Sequence, residues 1–270
     1  MNTKQKILYI SQEITPYLRE TPMGLLSKTI PQKVQEKGFE ARAFMPKYGC
    51  INERRNQLHE VIRLSGLGII IDDNDHPLII KVASMLPTRI QVYFVDNDDF
   101  FQKSDDDEDA VGSNRGDNDE RAIFFARGTA ETVKKLRWEP KVVHCTGWIT
   151  AMIPIYLRRI FNDDPAFKTT KIVYSVMPGD ITGGVDERFM AKLKADGLHN
   201  KDLKKFAGMA NDTSLLHKIG MEYANGIVFH DPEPPQELLE FAQQTGKPIL
   251  LAADLEKGAE ALEEFYKTLR

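Results

Sequence analysis

The chain holds 270 residues, 41% hydrophobic and 28% charged, which suits one large soluble domain or two small ones. Its 36 basic and 40 acidic residues are interspersed and leave a formal net charge of -4, so no broad basic surface is implied and neither nucleic acid nor an anionic membrane is an expected partner. Cys50 and Cys145 have no disulfide or zinc spacing, no window nears the roughly 18 apolar residues of a membrane span, and MNTKQKILYI shows no leader, so a cytoplasmic protein is expected.

The first apolar strand, ILYI (7–10), runs through a short loop into a helix with Met23, Leu26, Ile30 and Val34 on one face. In a doubly wound α/β protein, this first junction is where a phosphate sits on a helix N-terminus, and glycines let backbone N–H groups approach it. Here the junction carries Arg19, Glu20, Thr21 and Pro22, and its only glycine, Gly24, comes late. ARAFM (41–45) is the next strand. LHEVIRL, GLGIII, LIIKVAS and IQVYFV then read as an antiparallel meander inserted at about 58–95, with DDNDHP (72–77) as a turn-rich link.

SDDDEDAVGSNRGDNDE (104–120) is the one dense charge run, and it reads as a solvated, mobile loop over about 103–117 rather than a cation site. A helix over 118–137 aligns Ile123, Ala126, Ala130 and Val133. After the strand VVHC (142–145), a helix at 147–161 buries Trp148, Met152 and Ile155, and Pro154 kinks it or shifts its start. KIVYSV (171–176), GIVFH (226–230) and PILLAA (248–253) are further strands. LLHKIGMEYA (215–224) and 254–269 are helices, the last capped by Asp254. Uniformly apolar strands alternating with helices predict an α/β fold, a doubly wound, mostly parallel sheet in a single domain over 1–270.

SQEITPYL after the first strand, followed by EKGFEARAFMPKYG, resembles the N-terminal domain of the bacterial glycogen and starch synthases. VYFVDNDDFF, DNDERAIFFARGTAETVKKLRWEPKVVHCTGWITAMIPIYL, KIVYSVMPGDITGGV and LLHKIGMEYANGIVF resemble the same domain in the same order, over most of residues 5–230. The resemblance implies one half of a two-domain glycosyltransferase fold, in a family that moves glucose from ADP-glucose onto an α-1,4-glucan.

Three stretches depart from the family pattern. Its first loop reads lysine-threonine-glycine-glycine-leucine-alanine-aspartate, and RETPMGL stands there. Arg19 keeps the positive charge, Thr21 and Pro22 replace the glycines, and Leu25 stands at the aspartate. The backbone then reaches φ > 0 only at a cost, and Pro22 removes a donor. In VVHCTGWITA, His144 and Trp148 remain, while Thr146, Gly147 and Ile149 replace a histidine, an aspartate and a histidine. In YSVMPGD, Met177 and Pro178 replace a histidine-asparagine pair. A second domain of roughly 150–200 residues, which such transferases need to complete the cleft, is not expected within this chain.

The resemblance carries over Glu13, Arg19, Asp117, Asn118, His144, Trp148 and Lys218 as candidate vestigial ligand-binding residues, together with Arg121. No catalytic residue or cofactor is assigned, since no Ser-His-Asp grouping can be located, and no metal, since the remaining histidines share no ligand spacing. Bland roles compete at each position. His144 reads as a half-buried, hydrogen-bonded histidine, Trp148 as core, and Asp117, Asn118 and Arg121 as a helix start. Lys218 reads as a solvated surface residue, Cys145 as a buried thiol, and GDITGG (179–184) as a loop needing φ > 0.

The expected function is a binding or regulatory role without glycosyl transfer. Its object is an α-glucan, a protein partner, or a second copy held through the old cleft, where Met23, Leu25, Ile149 and Met177 would form an apolar patch. The alternatives are an active glucosyltransferase completed by a second domain in trans, or a small-ligand site anchored by Arg19.

Overall fold

A computed structural model describes residues 5–102, 109–177 and 183–269. Its strands are β1 (Lys6–Ser11), β2 (Glu40–Pro46), β3 (His59–Glu60), β4 (Leu67–Ile71), β5 (Asn74–Met85), β6 (Ile90–Asp96), β7 (Val142–Thr146), β8 (Lys171–Val176), β9 (Gly226–Phe229) and β10 (Ile249–Leu250). They lie in the order β10-β9-β8-β7-β1-β2-β6-β5-β3, with β4 paired to β5 outside that path. Every pair from β10 to β6 is parallel, and β5 with its neighbours is antiparallel. The central strands are buried along nearly their whole length because helices cover both faces, which is the α/β arrangement the apolar runs predict.

The helices are α1 (Pro22–Glu36), α2 (Asn118–Leu136), α3 (Ile153–Arg159), α4 (Phe189–Ala195), α5 (Asn200–Leu203), α6 (Thr213–Tyr223), α7 (Gln236–Gln244) and α8 (Ala259–Thr268). Thr21 caps α1 and Pro22 opens it, where a missing N–H is harmless. Pro154 shifts the start of α3: a 3-10 turn over Trp148–Thr150 precedes a helix that begins at Ile153. α2 has Asp119 and Glu120 in its first turn and ends on Arg137 at φ +49°.

Four expectations about elements need correction. IQVYFV is β6, parallel to β2, so it belongs to the main sheet and only β3–β5 are antiparallel additions. An all-apolar run cannot announce the direction of its neighbour. DDNDHP turns only at Asp72 and Asp73, both at positive φ, and the rest already lies in β5. PILLAA shrinks to the two-residue edge strand β10. The final helix is broken, since a 3-10 segment over Ala252–Lys257 stops at Gly258, φ +57°, and Gly258 rather than Asp254 stands at the N-cap of α8. The short helices α4 and α5 gave no periodic signal long enough to read.

Sheet order reverses between β1 and β7. The chain leaves β1 toward β2 on one side and returns to β7 on the other, so the crevice at a topological switch lies beyond Ser11 and Thr146.

Candidate functional site

At that switch the loop after β1 folds back onto the start of α1. The Gln12 N–H donates to the Thr146 carbonyl at 3.0 Å, and the Thr15 N–H to the Gly24 carbonyl at 3.1 Å. The Thr21 hydroxyl donates to the Glu13 carboxylate at 2.6 Å and accepts from the Gly24 N–H at 2.9 Å. Gln12 adds a 3.3 Å bond to the same carboxylate. The protein's own carboxylate is therefore tied, through Thr21, to the helix start where a phosphate would otherwise be welcome. Gly24 serves close packing: a Cβ there would stand 2.8 Å from the Thr15 hydroxyl oxygen.

Across the crevice, Gly147 has φ +89°, and a Cβ on it would lie 2.8 Å from Gln12 Cβ and 3.2 Å from the Met23 sulfur. Gln12 and Met23 thus occupy the space beside the end of β7. Met23, Ile149 and Met177 are all buried and Leu25 is half-buried, so the exposed apolar patch expected from these four residues does not form. Self-association through such a patch loses its basis. Arg19 is exposed on the loop.

His144 is buried rather than half-buried. Its Nδ1 is 2.6 Å from the Tyr266 hydroxyl and its Nε2 is 2.6 Å from the Ser175 hydroxyl. His230 Nε2 reaches the same serine at 3.2 Å. Burial, with His230 nearby, pulls the His144 pKa down to about 3, and burial pulls His230 down to about 4. Both imidazoles are neutral at pH 7. Tyr9, Ser27, His144 and His230 are among the residues around a cavity of about 10 Å³, room for one water at most.

Asp117, Asn118 and Arg121 do more than open a helix. Arg121 is buried at 1% exposure and donates to the carbonyls of Phe100 (2.9 Å) and Gly112 (2.7 Å), to the Val111 carbonyl, and to Asn118 Oδ1 at 2.8 Å. Its guanidinium lies 5.5 Å from the centre of the Trp148 ring, which is itself fully buried. Asn118 donates to the Ser113 carbonyl at 2.7 Å. Asp117, at the N-cap, makes no side-chain cap bond and pairs with Arg115 instead. Together these side chains tie Phe100 and residues 111–115 to the start of α2. Lys218 is not a solvated surface lysine: it is buried and paired with Glu237 on α7.

The structure therefore joins Asn118, Arg121 and Trp148, and Glu13 and Arg121 both act electrostatically on the buried Tyr48 phenol. His144 sits in a separate layer with Tyr266 and Ser175, and Lys218 in a third place. Sequence reading missed Tyr266 and Ser175, which no motif marked. It also missed Lys192, buried against Asp119 (2.9 Å) and Glu120 (2.6 Å). Cys145 is buried, and burial pushes its thiol up. Residues 103–108 of the acidic loop, Pro178 and residues 179–182 of GDITGG lie outside the described residues.

A family model described as the starch synthase catalytic domain matches residues 6–252. The chain belongs to that family. The glycogen synthase of Chlorobaculum parvum is 37% identical over 237 residues, covering 86% of this chain and 47% of that protein. The glycogen synthase of Chlorobium phaeobacteroides is 32% identical over 229 residues, covering 82% and 47%. The solved catalytic domain of starch synthase IV from Arabidopsis thaliana, bound to ADP and acarbose, superposes with a TM-score of 0.73 at 16% identity, over 92% of this chain and 51% of that one. At that identity it bears on the fold alone.

This starch synthase-type chain spans about half the length of the curated relatives it matches. Among the described residues, no group of His, Cys, Asp and Glu could hold a metal ion, and no helix is long and apolar enough to cross a membrane. Beside its switch point, Gln12, Glu13, Thr21 and Gly24 are linked to one another by hydrogen bonds, and Gln12 and Met23 pack close to Gly147.

Proposed function

We propose that this glycogen/starch synthase-type domain carries out no glucosyl transfer of its own and works as a binding or regulatory domain, with an α-glucan as the ligand class. The observation that carries the reading is the Glu13–Thr21–Gly24 relay on the first turn of α1. A sugar-nucleotide phosphate approaching there would meet a carboxylate already bonded to the capping threonine, and would find Pro22 in place of a donor N–H. His144 supports the same reading, since both its nitrogens are engaged inside the protein.

The span of about half the relatives' length favours one rival, a transferase completed by a second domain in trans. Calorimetric titration separates the two. Maltoheptaose is expected to give saturable heat and ADP-glucose none. Saturable heat from ADP-glucose overturns the non-catalytic reading, and silence from maltoheptaose removes the glucan as ligand.

A further inference from the structure

Away from the switch, α4, α5 and the 3-10 turn over Lys204–Phe206 enclose a surface groove of about 460 Å³. Its floor is apolar, formed by Met190, Leu203 and Ala207, and Lys194, Lys201 and Lys204 stand around it. All three lysines are exposed. Among the described residues, none of the three makes an ion pair.

The lack of compensation has a structural cause. Between Phe189 and Ala207 the only acidic residues are Asp196 and Asp202, and both turn inward. Asp196 accepts from the Tyr156 hydroxyl and pairs with Arg127 at 2.5 Å. Asp202 pairs with Arg159 at 2.8 Å and accepts from the His199 N–H at 3.0 Å. The two other lysines of the stretch are also committed, Lys192 to Asp119 and Glu120, and Lys205 to Glu222. These bonds fix the walls against α2, α3 and α6, so the groove is preformed. Three positive charges remain around an apolar floor in a chain whose net charge is -4.

We propose that this groove binds an acidic peptide segment of a partner protein, one that places a single large apolar side chain on Met190, Leu203 and Ala207 between carboxylates reaching the three lysines. Three ammonium groups share one groove, Lys194 from α4 and Lys201 and Lys204 from the segment that follows it. A single-headed anionic amphiphile would satisfy one lysine and leave the others, whereas acidic residues on both sides of an apolar anchor match all three. The lining residues include no aromatic on which a base could stack, which sets the groove apart from single-strand nucleic-acid sites.

The test uses the full chain and a fluorescein-labelled peptide, Glu-Asp-Glu-Phe-Glu-Asp-Glu, read by anisotropy. Saturable binding below about 1 mM is expected, weakening as salt rises. A triple variant, Lys194→Glu, Lys201→Glu and Lys204→Glu, should lose at least about tenfold in affinity, and Ala207→Arg, which fills the floor while adding positive charge, should weaken binding as well. All four positions are exposed, so the variants keep the fold. No saturation, equal binding by the triple variant, or equal binding by a peptide with serine in place of phenylalanine would each overturn the proposal. Binding of laurate without any peptide signal overturns it too, in favour of a small amphiphile.

Discussion

Tyr266, near the end of α8, places its hydroxyl 2.6 Å from Nδ1 of His144 in the centre of the sheet. The last helix is thereby fastened to a central strand through a neutral histidine, and α8 also meets α1 through Lys37 and Glu263 at 3.0 Å. The exposed Lys37 pair adds little, because solvent screens it. The buried contact sets the pH response.

Stability should fall on acidification from pH 6.5 toward 4. His144 and His230 have folded pKa values depressed from 6.5 to about 3 and about 4. Below pH 6.5 the unfolded chain therefore binds protons that the folded chain refuses. The stabilisation is complete above 6.5 and is lost as pH falls toward the folded values, at about 1.4 kcal/mol per pH unit for each histidine. Urea midpoints at pH 7, 6 and 5 measure the slope, and His144→Gln should reduce it. An unchanged slope in that variant would remove His144 as its source.

Restoring the family aspartate at Gly147 should harm the protein rather than revive it. The position has φ +89°, and a side chain there meets Gln12 at 2.8 Å. Gly147→Asp is expected to cost about 3 kcal/mol or more by urea denaturation. A variant as stable as the parent would show that the crevice opens at little cost.

Removing the cap should loosen the first turn of α1. Thr21→Val deletes both the acceptor for the Gly24 N–H and the donor to Glu13, an expected loss of about 1–2 kcal/mol. Thr21→Ser keeps the hydroxyl and should stay close to the parent. Thermal melts of the two variants decide it, since a Thr21→Val protein as stable as the parent would show that the hydroxyl does not hold the turn.

The Lys192 cluster predicts strong coupling. Burial pulls the Lys192 ammonium down, but Glu120 and Asp119 outweigh it and hold it up at about 12, and burial raises the Asp119 carboxyl. The Lys192 side chain is 3% exposed and Asp119 is fully buried. Lys192→Met strands the carboxylate and should cost about 3–5 kcal/mol, whereas adding Asp119→Asn should recover a large part of that loss. A double-mutant cycle in urea checks it, and additive losses would mean that the pair is uncoupled.

Much of this molecule follows from local sequence. ILYI, VVHC and KIVYSV have no polar side to show water, so they become strands covered on both faces, and Pro154 sets where α3 begins because a proline ring tolerates only a helix's first turn. The three departures from the family pattern were also legible residue by residue. Tertiary structure alone decided what the surviving polar residues do. His144 is neutral because the fold buries it beside His230, and Tyr266 reaches its Nδ1 from 122 residues away; Lys218 is paired because α7 brings Glu237 beside it, and Arg121 gathers carbonyls from segments that precede its own helix. Periodicity reports which face of an element is apolar, but a buried polar group takes its state from whichever distant partner meets it, and that partner leaves no mark in the neighbouring sequence.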